Sequence, residues 1–150
     1  MASGGVAEMV LFIAALLVAA SVAGTLTSEV TRLGDAVSAR SLDVAQDVRT
    51  DMEIVSDPAA GVYNASGNGN VTLYVRNTGS STLRADASTF DVLLDGQYRT
   101  NVTVSPVEGG TSWVEGEVVE VSVHAPDLPA GDHRVKLVVN ADEEVLQFRT

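Results

Sequence analysis

The chain contains no cysteine. Disulfide bonds, thiolate metal sites and cysteine nucleophiles are therefore excluded as sources of stability or chemistry. Lysine is almost absent as well, because Lys136 is the single lysine among nine basic residues. Aromatic residues make up 5% of the chain, and Trp113 is the one tryptophan. Any core that this chain forms must therefore be mainly aliphatic.

Positive charge is scarce relative to negative charge, which gives a formal net charge of -11. An acidic chain repels phosphate backbones, so we expect no nucleic acid partner. Acidic excess with little lysine is similar to the composition of proteins from salt-loving archaea, and the alternative is an ordinary acidic surface. At molar salt the Debye length is about 3 Å, so repulsion between these charges would be screened.

Charge and proline are both missing from the N-terminal part of the chain. The twenty residues from Met9 to Ser28 carry no charge, and no proline occurs before Pro58. Apolar residues continue at helical spacing to about Met52, which predicts one helix on the order of 70 Å long. The uncharged run is just long enough to span a bilayer, for which roughly 20 residues are needed.

Small residues alternate with large ones along the uncharged run and let helices approach closely. This pattern favours a bundle or filament over a lone lipid anchor, although both can hold at different stages. After Ser28 the pattern becomes amphipathic with a repeat near 3.5 residues, and packing against the chain's own β domain is the alternative there. We therefore predict a homo-oligomer formed through the helix. The predicted assembly interface consists of Phe12, Ala15, Leu16, Ala19, Ala20, Ala23, Leu26, Val30, Leu33, Val37, Val44 and Val48.

After Pro58 apolar residues alternate with polar ones, as in half-buried strands. The Asp95-Gly96 pair predicts a two-residue hairpin turn. About seven short strands at this spacing predict an antiparallel, immunoglobulin-like sandwich. The predicted fold class is α+β, with a helical membrane or assembly stalk at residues 1–55 and a β-sandwich head at residues 56–150.

Motifs that carry catalysis or cofactor binding are missing from the sequence. It has no Walker A, GxSxG or HExxH motif, and no GxGxxG follows a predicted strand. His124 and His133 lie outside any ligand-spaced set, so we predict both to be surface residues. We therefore expect no enzyme activity, no cofactor, no metal site and no small-molecule substrate.

Three asparagines begin N-glycosylation sequons, namely Asn64, Asn70 and Asn101. The first two lie in a predicted surface turn, whereas Asn101 falls in a strand pattern and is the weaker candidate. Trp113 lies in a glycine-rich loop and is a candidate contact of the head with a partner. The alternative for Trp113 is a core position between the sheets, and the hairpin at Asp95 is a second candidate surface.

Several segments in one order resemble the FlaG (ArlG) family of archaellum accessory proteins from halophilic archaea. These segments are LFIAALLVAASVAGTLTSEVTRL, NVTLYVRNTGSSTL, DVLLDGQYRTNVTV and GDHRVKLVVN. The sister family FlaF has a similar stalk and sandwich, so a resemblance to FlaF is an alternative that the sequence leaves open. Residues 1–8 contain no lysine or arginine, so they are not typical of a secretory signal. The Lys/Arg-Gly processing pair of archaeal pilin precursors is also missing, which fits an accessory protein better than a filament subunit.

The resemblance implies a place in the stator of the archaellum motor, between the membrane and the S-layer. It also implies self-assembly through the hydrophobic helix and contact with a FlaF-like protein and, through that protein, the S-layer. Together with the sequons it predicts a cell-envelope location with the head outside the membrane. Two other interpretations stay open, a pilin-like filament subunit and a membrane-anchored binding module.

Overall fold

The computed structural model describes residues 3–126 and 128–150. The chain divides into two compact units, residues 1–43 and residues 44–150, and each is described by itself. A single helix, α1, spans Ser3–Arg49. The absence of proline and the high content of alanine and leucine favour one uninterrupted helix. It ends three residues before the predicted Met52 because Met52 pairs with a neighbouring strand instead.

Five hydroxyl side chains in α1 bond to the helix's own backbone. Ser21 Oγ donates to the Leu17 carbonyl oxygen at 2.8 Å, and Thr31 Oγ1 donates to the Thr27 carbonyl oxygen at 3.0 Å. Thr25, Thr27 and Ser28 donate in the same way to the carbonyl four residues earlier. This local bonding satisfies the hydroxyl donors without water.

In the described part of the second unit, the structure has eleven strands in antiparallel sheets. The strands are β1 (Met52–Ile54), β2 (Tyr63–Asn64), β3 (Asn70–Asn77), β4 (Leu83–Arg84), β5 (Asp91–Leu94), β6 (Gln97–Arg99), β7 (Val102–Pro106), β8 (Ser112–Trp113), β9 (Val118–His124), β10 (Asp132–Val139) and β11 (Asp142–Arg149). One sheet has the order β1-β3-β9-β7, with β2 also on β3, and the second has the order β11-β10-β5-β6. Strands β4 and β8 form a separate pair.

One apolar core lies between the two main sheets. Alternate residues of β3, β9 and β10 are buried, as the period-two pattern of the sequence requires. Most of the buried side chains are valine and leucine, for example Leu73, Val121 and Leu137, each with no exposed surface. The α+β class with an antiparallel sandwich-like β part is therefore confirmed.

The predicted two-residue turn at Asp95-Gly96 is present. Leu94 pairs with Gln97, and the turn residues have φ values of 51° and 79°. Positive φ at both turn residues is the geometry of a type I′ hairpin, for which Asp-Gly is a preferred sequence. A second two-residue hairpin, at Asn140, joins β10 to β11.

Candidate assembly and anchoring sites

The predicted assembly interface of α1 is exposed along its whole length. All twelve of its residues, from Phe12 to Val48, are exposed in the chain by itself. The most apolar 18-residue window of the helix has a mean hydropathy of 2.5 and no buried residue. By length and composition, α1 is able to cross a membrane. Its apolar side chains are therefore available to lipid or to other chains.

The end of α1 is held by a loop of the β head. We use the name junction for residues 46–52 together with the loop 77–81 and the turn 139–142. The Arg49 carbonyl oxygen accepts a hydrogen bond from Ser81 N at 3.2 Å. The Asp51 carbonyl oxygen accepts bonds from Thr78 N at 3.0 Å and Gly79 N at 2.9 Å. Thr78 Oγ1 adds a bond to the Asp51 carboxylate at 2.8 Å.

The β10–β11 turn holds the other side of the junction. Asn140 Nδ2 donates to Thr50 Oγ1 at 2.8 Å, and that hydroxyl donates to the Gln46 carbonyl oxygen at 2.9 Å. Met52 N donates to Asp142 Oδ2 at 2.8 Å. Thr50 and Met52 are both buried. The chain therefore leaves the helix through a segment bonded on two sides, and this junction is not a free linker.

Asn77 connects the junction to the core of the head. It is fully buried, and its Nδ2 donates to the carbonyl oxygens of Ser81 and Trp113, both at 2.9 Å. Its Oδ1 accepts from Gly79 N at 3.0 Å. The sequence Asn77-Thr78-Gly79 is typical of a turn, but nothing local reveals which distant backbone that turn packs against.

Trp113 lies in the core, which is the alternative that the sequence left open. Its side chain has no exposed surface, its ring centroid lies 5.2 Å from that of Phe90, and its Nε1 donates to the Glu117 carbonyl oxygen at 2.9 Å. A side chain in this position cannot contact a partner unless the core opens. We therefore no longer treat Trp113 as a candidate contact of the head.

His133 is buried, so its prediction as a surface residue is wrong. Its Nδ1 lies 2.7 Å from Asp95 Oδ2, and its Nε2 lies 2.8 Å from the Pro129 carbonyl oxygen. The hydrogen bond to Asp95 raises the pKa of His133 although burial opposes the shift. Desolvation acts to raise the pKa of Asp95, but bonds from the Arg134 N–H and from His133 lower it overall. Two acceptors facing one ring favour the doubly protonated imidazolium.

Four carboxylates gather beside the junction. The pKa of Glu144 is raised, first by desolvation and then by the negative charges of Asp142, Asp51 and Glu53. Within residues 3–126 and 128–150, no group of three or more histidine, cysteine, aspartate or glutamate residues is arranged to hold a metal ion. The arrangement concentrates negative charge at this end of the head.

The three sequon asparagines differ in their surroundings. Asn64 is exposed at the end of β2, and its Oδ1 accepts a bond from the following turn. Asn70 is half-buried and bonds to Ser122 and to His124 through its amide. Asn101 is exposed in the two-residue connection between β6 and β7, and not within a strand. His124 is exposed, as predicted.

Comparison with known proteins identifies the family. A model described as archaeal-type flagellin matches residues 2–145. The chain belongs to the archaeal-type flagellin family. Within this family it is 33% identical over 142 residues to a flagella-related protein G of Methanocaldococcus jannaschii, covering 92% of this chain and 89% of that protein. It is 29% identical over 148 residues to a flagella-related protein G of Methanococcus voltae, covering 93% and 92%.

The archaeal-type flagellin family and the two relatives confirm the resemblance to the archaellum-related FlaG proteins that the sequence segments indicated. The chain is therefore an archaellum-related protein. Family membership and the exposed apolar helix are both consistent with a membrane-associated location in the cell envelope.

Proposed function

We propose that this chain is a non-enzymatic structural component of the archaellum that assembles with copies of itself through α1. The observation that carries this proposal is the exposed apolar stretch of α1. Such a surface is stable only in lipid or against other apolar surfaces. Burying one leucine-sized side chain contributes roughly 1.5–3 kcal/mol of favourable free energy. Burial of the twelve interface residues is therefore sufficient to drive assembly.

We further propose that the assembly acts as part of the stator of the archaellum motor. A stator must resist torque, and the junction supports this role because it bonds the last turn of α1 to two separate parts of the head. Six hydrogen bonds between residues 49–52 and the head would have to break together for this joint to rotate, and four of them have a backbone donor or acceptor. The names of the two relatives support a flagellar role for this chain.

The head would face outward between membrane and S-layer and hold a fixed partner. A FlaF-like protein, and through it the S-layer, is the partner that the family resemblance suggests. With Trp113 buried, the exposed Asp95-Gly96 hairpin is the remaining candidate contact surface. A structural role also fits the family, whose members are flagellar components.

The assembly interface is tested by enlarging one small residue in it. Ala19→Leu should disrupt the oligomer sterically without lowering hydrophobicity, because close helix approach needs small side chains. Ala14→Leu is the matched control, since it lies five positions away and about 140° around the helix. The full chain in detergent is measured by light scattering or electron microscopy. An unchanged oligomer with Ala19→Leu would count against this interface.

The stator role is tested by deleting the gene. Cells should still assemble archaella but swim poorly or not at all, and the full chain should restore swimming whereas residues 44–150 alone should not. Normal swimming, or rescue by the head alone, would contradict the stator role.

A filament subunit is the second candidate, favoured by the match to the archaeal-type flagellin model. This role predicts that cells lacking the gene have no filaments. It also predicts that cells with the gene carry surface fibres rich in this chain. A membrane-anchored binding module predicts instead that the full chain is monomeric.

A further inference from the structure

All three sequon asparagines meet at one end of the first sheet. Asn64 on β2 pairs with Asn70 on β3, and Asn70 pairs with His124 on β9. The His124 N–H donates to the Asn101 carbonyl oxygen at 3.0 Å. The fold thus brings two sequons from one part of the chain and a third from the distant β6–β7 connection into one row. The three asparagines therefore differ as acceptors of a glycan through the surroundings of their side-chain amides.

The amide of Asn70 is already bonded on both sides. Its Nδ2 donates to Ser122 Oγ at 3.0 Å, and its Oδ1 lies 2.9 Å from His124 Nδ1. An N-linked glycan replaces one N–H hydrogen of Nδ2 with the first sugar. Because the half-buried Nδ2 already donates to Ser122 Oγ, the sugar would have to fit beside that contact or displace it.

The amide of Asn64 is folded onto the turn that follows it. Its Oδ1 accepts a bond from Gly67 N at 2.9 Å. A methyl group built on Gly67 would lie 2.5 Å from Asn64 Nδ2, so that nitrogen rests against the turn backbone. The sequon hydroxyl, Ser66, belongs to the same turn. Although Asn64 is exposed, a sugar on Nδ2 would have to fit against this turn.

Asn101 is the sequon residue whose amide is free to react. It is exposed, and among the described residues its bond to His124 is made by the backbone and leaves the side chain unengaged. Thr103, the sequon hydroxyl, is exposed on β7, two residues further along an extended chain. Asn101 directly precedes the first residue of β7, and both Asn101 and Thr103 are exposed. Amide and hydroxyl of this sequon are therefore both accessible from solvent.

We propose that Asn101 carries an N-linked glycan and that Asn64 and Asn70 do not. The donor is a lipid-phosphate-linked oligosaccharide. Nδ2 of Asn101 forms a bond to the anomeric carbon of the sugar and loses one proton, while the bond from that carbon to the phosphate oxygen breaks and the lipid phosphate leaves. The inference rests on the proposed outward orientation of the head.

The test uses the full chain purified from cells of its own host. Cleavage after arginine separates the peptide 50–76, which holds Asn64 and Asn70, from the peptide 100–134, which holds Asn101. Mass spectrometry should find a sugar mass on 100–134 and none on 50–76. Asn101→Gln and Thr103→Val should remove that mass completely, whereas Thr103→Ser and Asn70→Gln should leave it in place.

A second measurement separates this inference from the proposed orientation. Protease is added to intact cells whose S-layer has been stripped. If the head is cut but the peptide 100–134 is unmodified, the glycan inference is wrong and the orientation stands. If the head is protected, the orientation is wrong and the inference falls with it. A glycan on 50–76 in place of 100–134 would also overturn the assignment to Asn101.

Discussion

Gly79 is the position at which one added methyl group should damage the junction. A Cβ built there would overlap the Arg49 carbonyl oxygen and lie 2.5 Å from Asp51 N. Both obstacles are backbone atoms, so no side-chain rotation relieves the overlap. We therefore expect Gly79→Ala to push the loop 77–81 away from residues 49–51.

The expected cost follows from the bonds that this displacement breaks. The bonds from Thr78 N, Gly79 N and Ser81 N to the carbonyl oxygens of Asp51 and Arg49 would be lost or lengthened. At about 1 kcal/mol for each hydrogen bond, the loss is about 3 kcal/mol. Overpacking by itself costs about 1–3 kcal/mol, which agrees with this figure. In a domain of this size, the midpoint temperature should fall by about 10–15 °C.

The only tryptophan provides the assay. Trp113 is fully buried in the head, so its fluorescence in the full chain reports unfolding of the head and not of α1. Gly34→Ala is the matched control, because nothing lies within 4 Å of a methyl group at that helical position. A Gly79→Ala chain whose Trp113 transition coincides with that of the unmodified chain would refute the packing described for the junction.

Two further changes test the core and the buried histidine. Trp113→Ala should destabilise the head by about 3–5 kcal/mol through loss of contact with Phe90 and an emptied site, measured by calorimetry of the full chain; a smaller effect than that of Ser80→Ala would contradict its core role. The raised pKa of His133 means that its stabilising contribution is complete below about pH 6.5 and is lost as pH rises through the folded-state value. His133→Gln should therefore be less stable than the unmodified chain in urea at pH 5.5, with a difference that shrinks toward pH 9; a constant difference would contradict the pairing with Asp95.

Local patterns were sufficient for the helix and most of the sandwich. The uncharged run from Met9 predicts α1 without reference to any other part of the chain, and Asp95-Gly96 predicts its hairpin because the turn type depends on those two residues. The end of α1 needed more than local information. Met52 continues the helical pattern, yet it pairs with Asn77 on β3 and is buried in the head. Long-range pairing therefore overrides helical spacing there.

The sites were harder to predict than the fold because burial depends on residues far away in sequence. His133 alternates correctly with its strand neighbours, but only the fold places Asp95 and Pro129 beside both ring nitrogens. Trp113 follows a glycine-rich stretch of sequence, which left a surface contact and a core position as alternatives, and its partner Phe90 comes from another segment. The junction has no sequence signature at all. Its contacts link residues near 50 to residues near 78 and 140, and no spacing rule joins these segments.

The hydroxyl groups from Ser21 to Thr31 are compatible with both a lipid bilayer and a protein core around α1. Each of the five donates to a carbonyl of its own helix, so none requires water or a neighbouring chain. Moving these residues from a bilayer into a protein core would exchange one environment without water for another, and none of the five hydroxyl groups would need a new partner. The balance between the two locations then depends on how well apolar and small side chains pack. A helix of this kind can be stored in the membrane and recruited into an assembly without a large barrier from dehydration.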